Sequence, residues 1–339
     1  MKNNIKYLIS GIVILVLIGA YFALNSSGTN SDIAPTKDVE LYTLKMVTSP
    51  AYDPVSVGFE KGFFKEEGLN IEFVGVLPTE QYVTATVSGD IDVGGGHANR
   101  VINAVAKGAK IKGIAGTTRT IPGYPHMSLF VLENSSIRTA QDLTGKKVAI
   151  WGFGGCSEYM MYEYMRQKAG SSIPKESIEL TSMPDSQQEQ ALRSHQVDAV
   201  FVHAPFNKKL TNAGGVRKLF DDNDLDESLG LALYWVSEDT IKDHPDVVKR
   251  FVKTTAKTLD WANEHREEAY QIEAKRLGLD AADMEGFNSP EHALLIDTEV
   301  QNWIDTLTRY GLLKEGQVKT SDIYTNEFNP YFKDGGLNE

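Results

Sequence analysis

The chain is poor in what most metal, redox and nucleic-acid chemistry needs. It has a single cysteine, Cys156, in 339 residues, which excludes an intrachain disulfide and any cysteine-rich zinc or iron–sulfur site. None of its 7 histidines stands in an HExxH or HxH spacing. The sequence therefore reads as carrying no metal, no cofactor and no catalytic residue. Basic runs are missing too: 34 Lys and Arg against 46 Asp and Glu leave a formal charge of −12, the wrong sign for tracking a phosphate backbone, so nucleic acid is not an expected partner. Long apolar runs are scarce, and the exception lies at the amino terminus. Tyr7 to Leu24 is uncharged and follows Lys2 and Lys6, close to the minimum length for crossing a bilayer, with the lysines favouring an amino terminus held inside. Small residues at the −3 positions before Ala20 and Ala23 are lacking, which favours an uncleaved anchor over a cleaved signal. Either way residues 25–38 are a polar linker and the remainder is extracytoplasmic.

What is present is a repeat. Residues 78–98 return without a gap 106 positions later, with Pro78, Gln81, Ala85, Ser88, Asp92, His97 and Ala98 matched by Pro184, Gln187, Ala191, Ser194, Asp198, His203 and Ala204. Each copy reads as a proline, a capped amphipathic helix, a short strand and a histidine loop. At 339 residues and 41% hydrophobic content the chain is large enough for two medium cores. The expected architecture is α/β and two-lobed, each lobe an open, mostly parallel sheet flanked by helices, with two hinge crossovers. Lobe 1 takes residues 39–128 and is completed by 231–339; lobe 2 takes 129–230. Strands around 127–132 and 231–236 are expected to be the hinges, and the helical tail, with apolar stripes at Val247, Phe251 and Leu259 and at Val300, Trp303 and Leu307, to pack back on lobe 1.

Ligands of open α/β sheets sit beyond the carboxyl ends of strands, and this rule selects the candidate loops. Gly152-Phe153-Gly154-Gly155-Cys156-Ser157 opens a helix whose free N–H groups suit an anion; the candidates there are Gly154, Gly155, Cys156 and Ser157. His97 and His203 end matching strands and are expected to donate to a ligand from opposite lobes. Tyr52 and Asp53 precede the first helix, where Asp53 also reads as an N-cap. Asn99, Tyr124 and Asp185 complete the ligand-binding set, and Arg119 and His126 are further sources of positive charge. The glycines 94–96, valines in the second copy, are expected to let a ligand approach the lobe 1 backbone.

Five segments carry a family resemblance: VGFEKGFFKEEGLNIEFV (57–74), TVSGDIDVGGG (86–96), SSIRTAQDLTGKKVAI (135–150), QVDAVFVHAP (196–205) and VVKRFVKTTAKTLDWANEH (247–265). Together they resemble the solute-binding components of nitrate, sulfonate and taurine ABC importers, type 2 periplasmic binding proteins. The resemblance implies a monomer without enzymatic activity that closes on a small polar or anionic solute and hands it to an ABC permease with its ATPase subunit. It places ligand contacts at Tyr52, Asp53, His97 and the Gly154–Ser157 turn. Many relatives carry a tryptophan-containing loop where this chain has His203-Ala204-Pro205-Phe206. The fold also hosts pyrimidine synthases of thiamin biosynthesis, whose dense cysteine motif is missing here. A binder of a pyrimidine-type vitamin precursor, or an enzyme using the cleft histidines, is the alternative reading.

Overall fold

A computed structural model describes residues 41–170, 177–226, 228–284 and 289–333. The expected anchor and linker lie outside the described residues, among which no helix is long and apolar enough to cross a membrane. Strands β1 (Tyr42–Met46) and β2 (Leu69–Phe73) pair in parallel. Between them, helices α1 (Pro54–Glu60) and α2 (Phe63–Glu66) replace the single helix expected over 54–67. Gly62 divides them because its φ of +77° lies in the left-handed region, where the helical ladder cannot continue. Helix α3 (Tyr82–Ser88), strand β3 (Gly94–His97), helix α4 (Ala98–Ala106) and strand β4 (Ile111–Thr118) follow.

The chain then crosses from these two small sheets to a third, five-stranded sheet in the order β7-β6-β8-β5-β9. Its strands are β5 (Met127–Leu132), β6 (Lys147–Ile150), β7 (Glu179–Ser182), β8 (Ala199–His203) and β9 (Val216–Asp221). Helices α5 (Cys156–Tyr164), α6 (Asp185–Arg193) and α7 (Phe206–Ala213) connect them. Strand β10 (Ala232–Ser237) returns to the first side, between β3 and β4. The parallel pairs are β1–β2, β6–β7 and β6–β8. By contrast β5 and β10 run antiparallel to both neighbours. Each is the first strand after a crossover, so it enters its sheet from the opposite end. Both strands lie wholly within one sheet, which moves the crossovers from the strands expected to serve as hinges to residues 119–126 and 222–231.

Those two segments are tied to each other. Asp222 accepts from the Thr120 hydroxyl and, at 3.1 Å, from the Met127 N–H. The helical tail comprises α8 (Glu238–Asp243), α9 (Pro245–Glu264), α10 (Arg266–Leu277) and α11 (Asp297–Arg309). Phe251 of α9 packs on Phe64 and Tyr234, each at 5.7 Å between ring centroids, as the apolar stripe requires. Trp303 of α11 instead reaches Tyr159 of α5 at 6.3 Å, so that stripe also covers the five-stranded sheet. Fully burying such rings is worth roughly 1.5–3 kcal/mol each.

The repeat is real in three dimensions. Asp92 accepts from the Lys45 N–H at 2.7 Å, and Asp198 accepts from the Lys147 N–H at 2.9 Å. Each carboxylate thus anchors the strand beside its own. Pro78 (φ −57°, ψ 133°) and Pro184 (φ −56°, ψ 142°) turn the chain alike.

Candidate functional site

A cavity of about 170 Å³ lies between the two small sheets on one side and the five-stranded sheet on the other. Seven of the residues anticipated from the sequence line it: Tyr52, Asp53, His97, Gly155, Cys156, Ser157 and His203. His97 ends β3 and His203 ends β8, as the repeat demands. Cys156 is the first residue of α5, set there by the glycine turn, with Gly154 at a φ of +70°.

The other four do not line the cavity. Asn99 is buried and donates its Nδ2 to the Gly154 carbonyl at 2.8 Å, joining α4 to the glycine turn. Gly154 itself donates its N–H to Glu158 at 2.6 Å, so its backbone is engaged away from the cavity. Tyr124 lies under the Arg266 guanidinium at 4.4 Å. Asp185 sits behind His203, accepting from its Nδ1 at 2.7 Å while Gln188 holds the other carboxylate oxygen at 3.0 Å. Asp53 proves to be mainly structural. Its carboxylate caps α1 through the Val55 N–H and accepts from the Tyr234 hydroxyl at 2.6 Å. Arg119 pairs with Glu299 at 2.7 Å, outside the cavity lining.

Of the glycines 94–96, Gly94 has a reason besides ligand approach. A Cβ on Gly94 would meet the Trp235 ring at 2.3 Å. The residue is small to admit an indole, whose Nε1 donates to Thr86 at 3.0 Å. Gly95 and Gly96 do line the cavity.

His126 belongs to the centre of the site, although the sequence marked it only as a source of charge. It closes the first crossover, and its ring centroid is 4.5 Å from that of His97 and 4.9 Å from that of His203. Cys156 Sγ is 3.4 Å from His203 Nε2 and 3.9 Å from His126 Nε2. With Nδ1 committed to Asp185, His203 turns Nε2 toward the sulfur. Burial opposes a charged imidazole, yet the Asp185 carboxylate and the sulfur raise His203 to about 10. Burial likewise opposes the thiolate, but His97 and His203 outweigh it and hold Cys156 well below the ordinary thiol range. His126 is pushed down to about 3, by burial first and then by His97. The surroundings thus favour a charged His203 and a thiolate at Cys156, and disfavour charge on His126.

Sequence reasoning also missed Tyr82 and Arg100, which line the cavity. Arg100 precedes no motif; its signal was its place in the first turn of the helix after His97. Its Nη2 would lie 3.3 Å from a Cβ on Gly155, so the guanidinium reaches from α4 to the glycine turn. Among the described residues, three buried polar atoms at the cavity find no hydrogen-bond partner: Tyr82 Oη, His97 Nδ1 and Ser157 Oγ.

Comparison with known proteins shows the family and the fold. A protein of Bacillus subtilis (strain 168) named for binding aliphatic sulfonates is 26% identical over 264 residues, 76% of either chain. The crystal structure of the periplasmic nitrate-binding protein NrtA from Synechocystis PCC 6803 superposes with a TM-score of 0.67 at 16% identity, covering 85% of this chain and 87% of that one. The desulfurization enzyme DSZB superposes with a TM-score of 0.65 at 16% identity, covering 85% and 97%. The fold is that of the two-lobed periplasmic binding proteins. Residues 49–269, well over half of the chain, match the family described as NMT1/THI5 like, and the chain belongs to that family.

Proposed function

We propose that the protein is the extracytoplasmic solute-binding component of an ABC importer, closing its lobes on a small sulfonate-like anion and delivering it to a permease and its ATPase subunit. The carrying observation is that Ser157 Oγ, Tyr82 Oη and His97 Nδ1, buried and without a hydrogen-bond partner among the described residues, line one cavity. Buried polar groups are rarely left in that state, so a polar ligand is the natural partner. Burial pushes Tyr82 up to about 12, which keeps its hydroxyl a donor. Arg100 supplies the positive charge, and the amino terminus of α5 adds its N–H groups. Binding residues thus come from α3, β3 and α4 on one side and α5 on the other, and a ligand that contacts both sides favours the closed state. The resemblance of the chain to sulfonate- and nitrate-binding proteins supports the same class of ligand. In this reading the lobes divide at the crossovers 119–126 and 222–231, the segment 7–24 holds the monomer to the membrane, and no covalent chemistry is needed.

One observation favours a second reading. Cys156, His203 and Asp185 stand in the order nucleophile, base and orienting carboxylate, at 3.4 and 2.7 Å, a geometry that activates a thiol. Turnover separates the two. The full-length chain in detergent is heated with sulfonates, taurine, nitrate, bicarbonate or pyrimidines. At about 100 times its dissociation constant a true ligand adds roughly 2.7 kcal/mol to stability, and a sulfonate or related anion is expected to do so unchanged. Arg100→Ala and Ser157→Ala should each weaken it about tenfold or more, in keeping with about 1.5–3 kcal/mol for a charge-assisted hydrogen bond. Conversion of a compound, with no anion raising the melting point, would sink the transport reading.

A further inference from the structure

We infer that the cleft also holds a zinc-class transition-metal ion, bound by His97, His126, His203 and Cys156. This goes beyond the anion reading and does not depend on it. The four residues come from the end of β3, the first crossover, the start of α5 and the end of β8. Each offers one ligand atom, and these atoms all lie within 4.8 Å of one another. Three imidazoles and a thiol are a borderline-soft N₃S set, which suits Zn²⁺ and related late first-row ions and suits Mg²⁺ or Ca²⁺ poorly.

Distances agree with that chemistry. Bonds of about 2.0–2.1 Å to nitrogen and about 2.3 Å to sulfur place tetrahedral neighbours roughly 3.4–3.6 Å apart. The Cys156 Sγ separations of 3.4 and 3.9 Å from His203 and His126 lie close to this spacing. The widest pair must draw in by on the order of 1 Å to reach it. The surroundings match as well. Asp185 on His203 Nδ1, itself held by Gln188, is the carboxylate–histidine support that fixes a ligating imidazole. Met127 and Trp151 give the cluster an apolar wall: Met127 Sδ is 4.0 Å from Cys156 Sγ, and the Trp151 ring meets His203 edge-on at 5.3 Å.

A catalytic thiol needs Cys156, His203 and Asp185 but gives no role to His97 and His126. An ion accounts for all four donors. Because His97 ends β3 while His203 ends β8 and Cys156 starts α5, which follows β6 of the same five-stranded sheet, the ion would bridge the two sides of the cleft and favour closure.

The test uses the full-length chain in detergent, reduced and stripped with EDTA, and titrated with Zn²⁺ alone. One Zn²⁺ per chain is expected. Cys156→Ser and His203→Ala should each lower zinc affinity at least about 100-fold, and Asp185→Asn, a positioning change, about 10- to 100-fold. In the unaltered protein zinc should protect Cys156 from iodoacetamide, and Co²⁺ should give a thiolate-to-metal charge-transfer band that Cys156→Ser abolishes. Unchanged zinc affinity in both variants, or alkylation equally fast with and without zinc, would overturn the metal site. Rapid alkylation together with turnover and no zinc binding would overturn it in favour of the catalytic thiol. A sulfonate-induced rise in melting point of the stripped protein, measured separately, reports on the anion reading alone.

Discussion

Residues 78–98 and 184–204 have the same frame and different interiors. Both begin at a proline of nearly equal backbone angles, both anchor a neighbouring strand through an aspartate, and both end in a histidine at the cavity. They part at the residue after the proline. In the second copy Asp185 holds His203 Nδ1 at 2.7 Å; in the first copy Thr79 takes that position and accepts from Arg100 at 3.2 Å, leaving His97 Nδ1 without a hydrogen bond among the described residues. They part again where valines 200 and 202 of the buried strand β8 correspond to glycines 94 and 96 beside Trp235. The repeat thus keeps what builds a lobe and frees what touches a ligand. One histidine is fixed by its own lobe, and the other is left to be satisfied across the cleft.

The comparison breaks most severely if the first copy is made to imitate the second. Gly94→Val places a Cβ 2.3 Å from Trp235 atoms in a fully packed site, so a loss of about 3 kcal/mol or more is expected from urea unfolding. The reverse change in the second copy, Val200→Ala, should cost less, about 1–3 kcal/mol, since it opens space instead of forcing atoms together. The crossovers, which have no counterpart in the repeat, come next. Burial raises Asp222 to about 7, against donation from Thr120 and Met127. Its folded value exceeds its unfolded one, so its contribution to stability is full below about pH 4 and is lost as pH rises through about 7. Asp222→Asn should flatten that window by an amount on the order of a few kcal/mol, measured as melting temperature against pH; an unchanged pH profile would show that Asp222 is not the titrating group.

The shared frame gives a smaller and more symmetrical effect. Asp92→Ala and Asp198→Ala remove equivalent anchors, and each should cost about 1–2 kcal/mol in denaturant unfolding. Unequal losses beyond a factor of two would mean the two lobes use the repeat differently. Smallest of all is Thr79→Ala, expected within about 0.5 kcal/mol by the same measurement, because the hydroxyl it removes supports an arginine and not a buried imidazole.

Much of the architecture was legible in advance because it follows from local rules. Met127 to Leu132 is a strand because six apolar or small residues there lie between turn-forming segments, and helix α9 forms because Val247, Val248, Phe251 and Val252 recur on one face. The break at Gly62 was not legible, since a glycine inside a helical pattern is tolerated unless the packed backbone takes the left-handed turn. The site divided in the same way. His97, His203 and the glycine turn were visible as strand ends and helix starts, whereas Tyr124 and Asn99 were assigned by proximity in sequence and face elsewhere.

The sequence by itself determined the two related α/β units, the absence of any local metal motif, the apolar amino-terminal run and the strand-end positions where a ligand would sit. These depend on composition and on periods of two to four residues. Only the tertiary structure decided that His126 meets Cys156, that Asp185 stands behind His203 and that Arg100 reaches the glycine turn. Those contacts join residues 30 or 18 positions apart, or wholly different elements, and no local spacing encodes them. They exist because two sheets and a crossover bring four separate chain segments to one cavity.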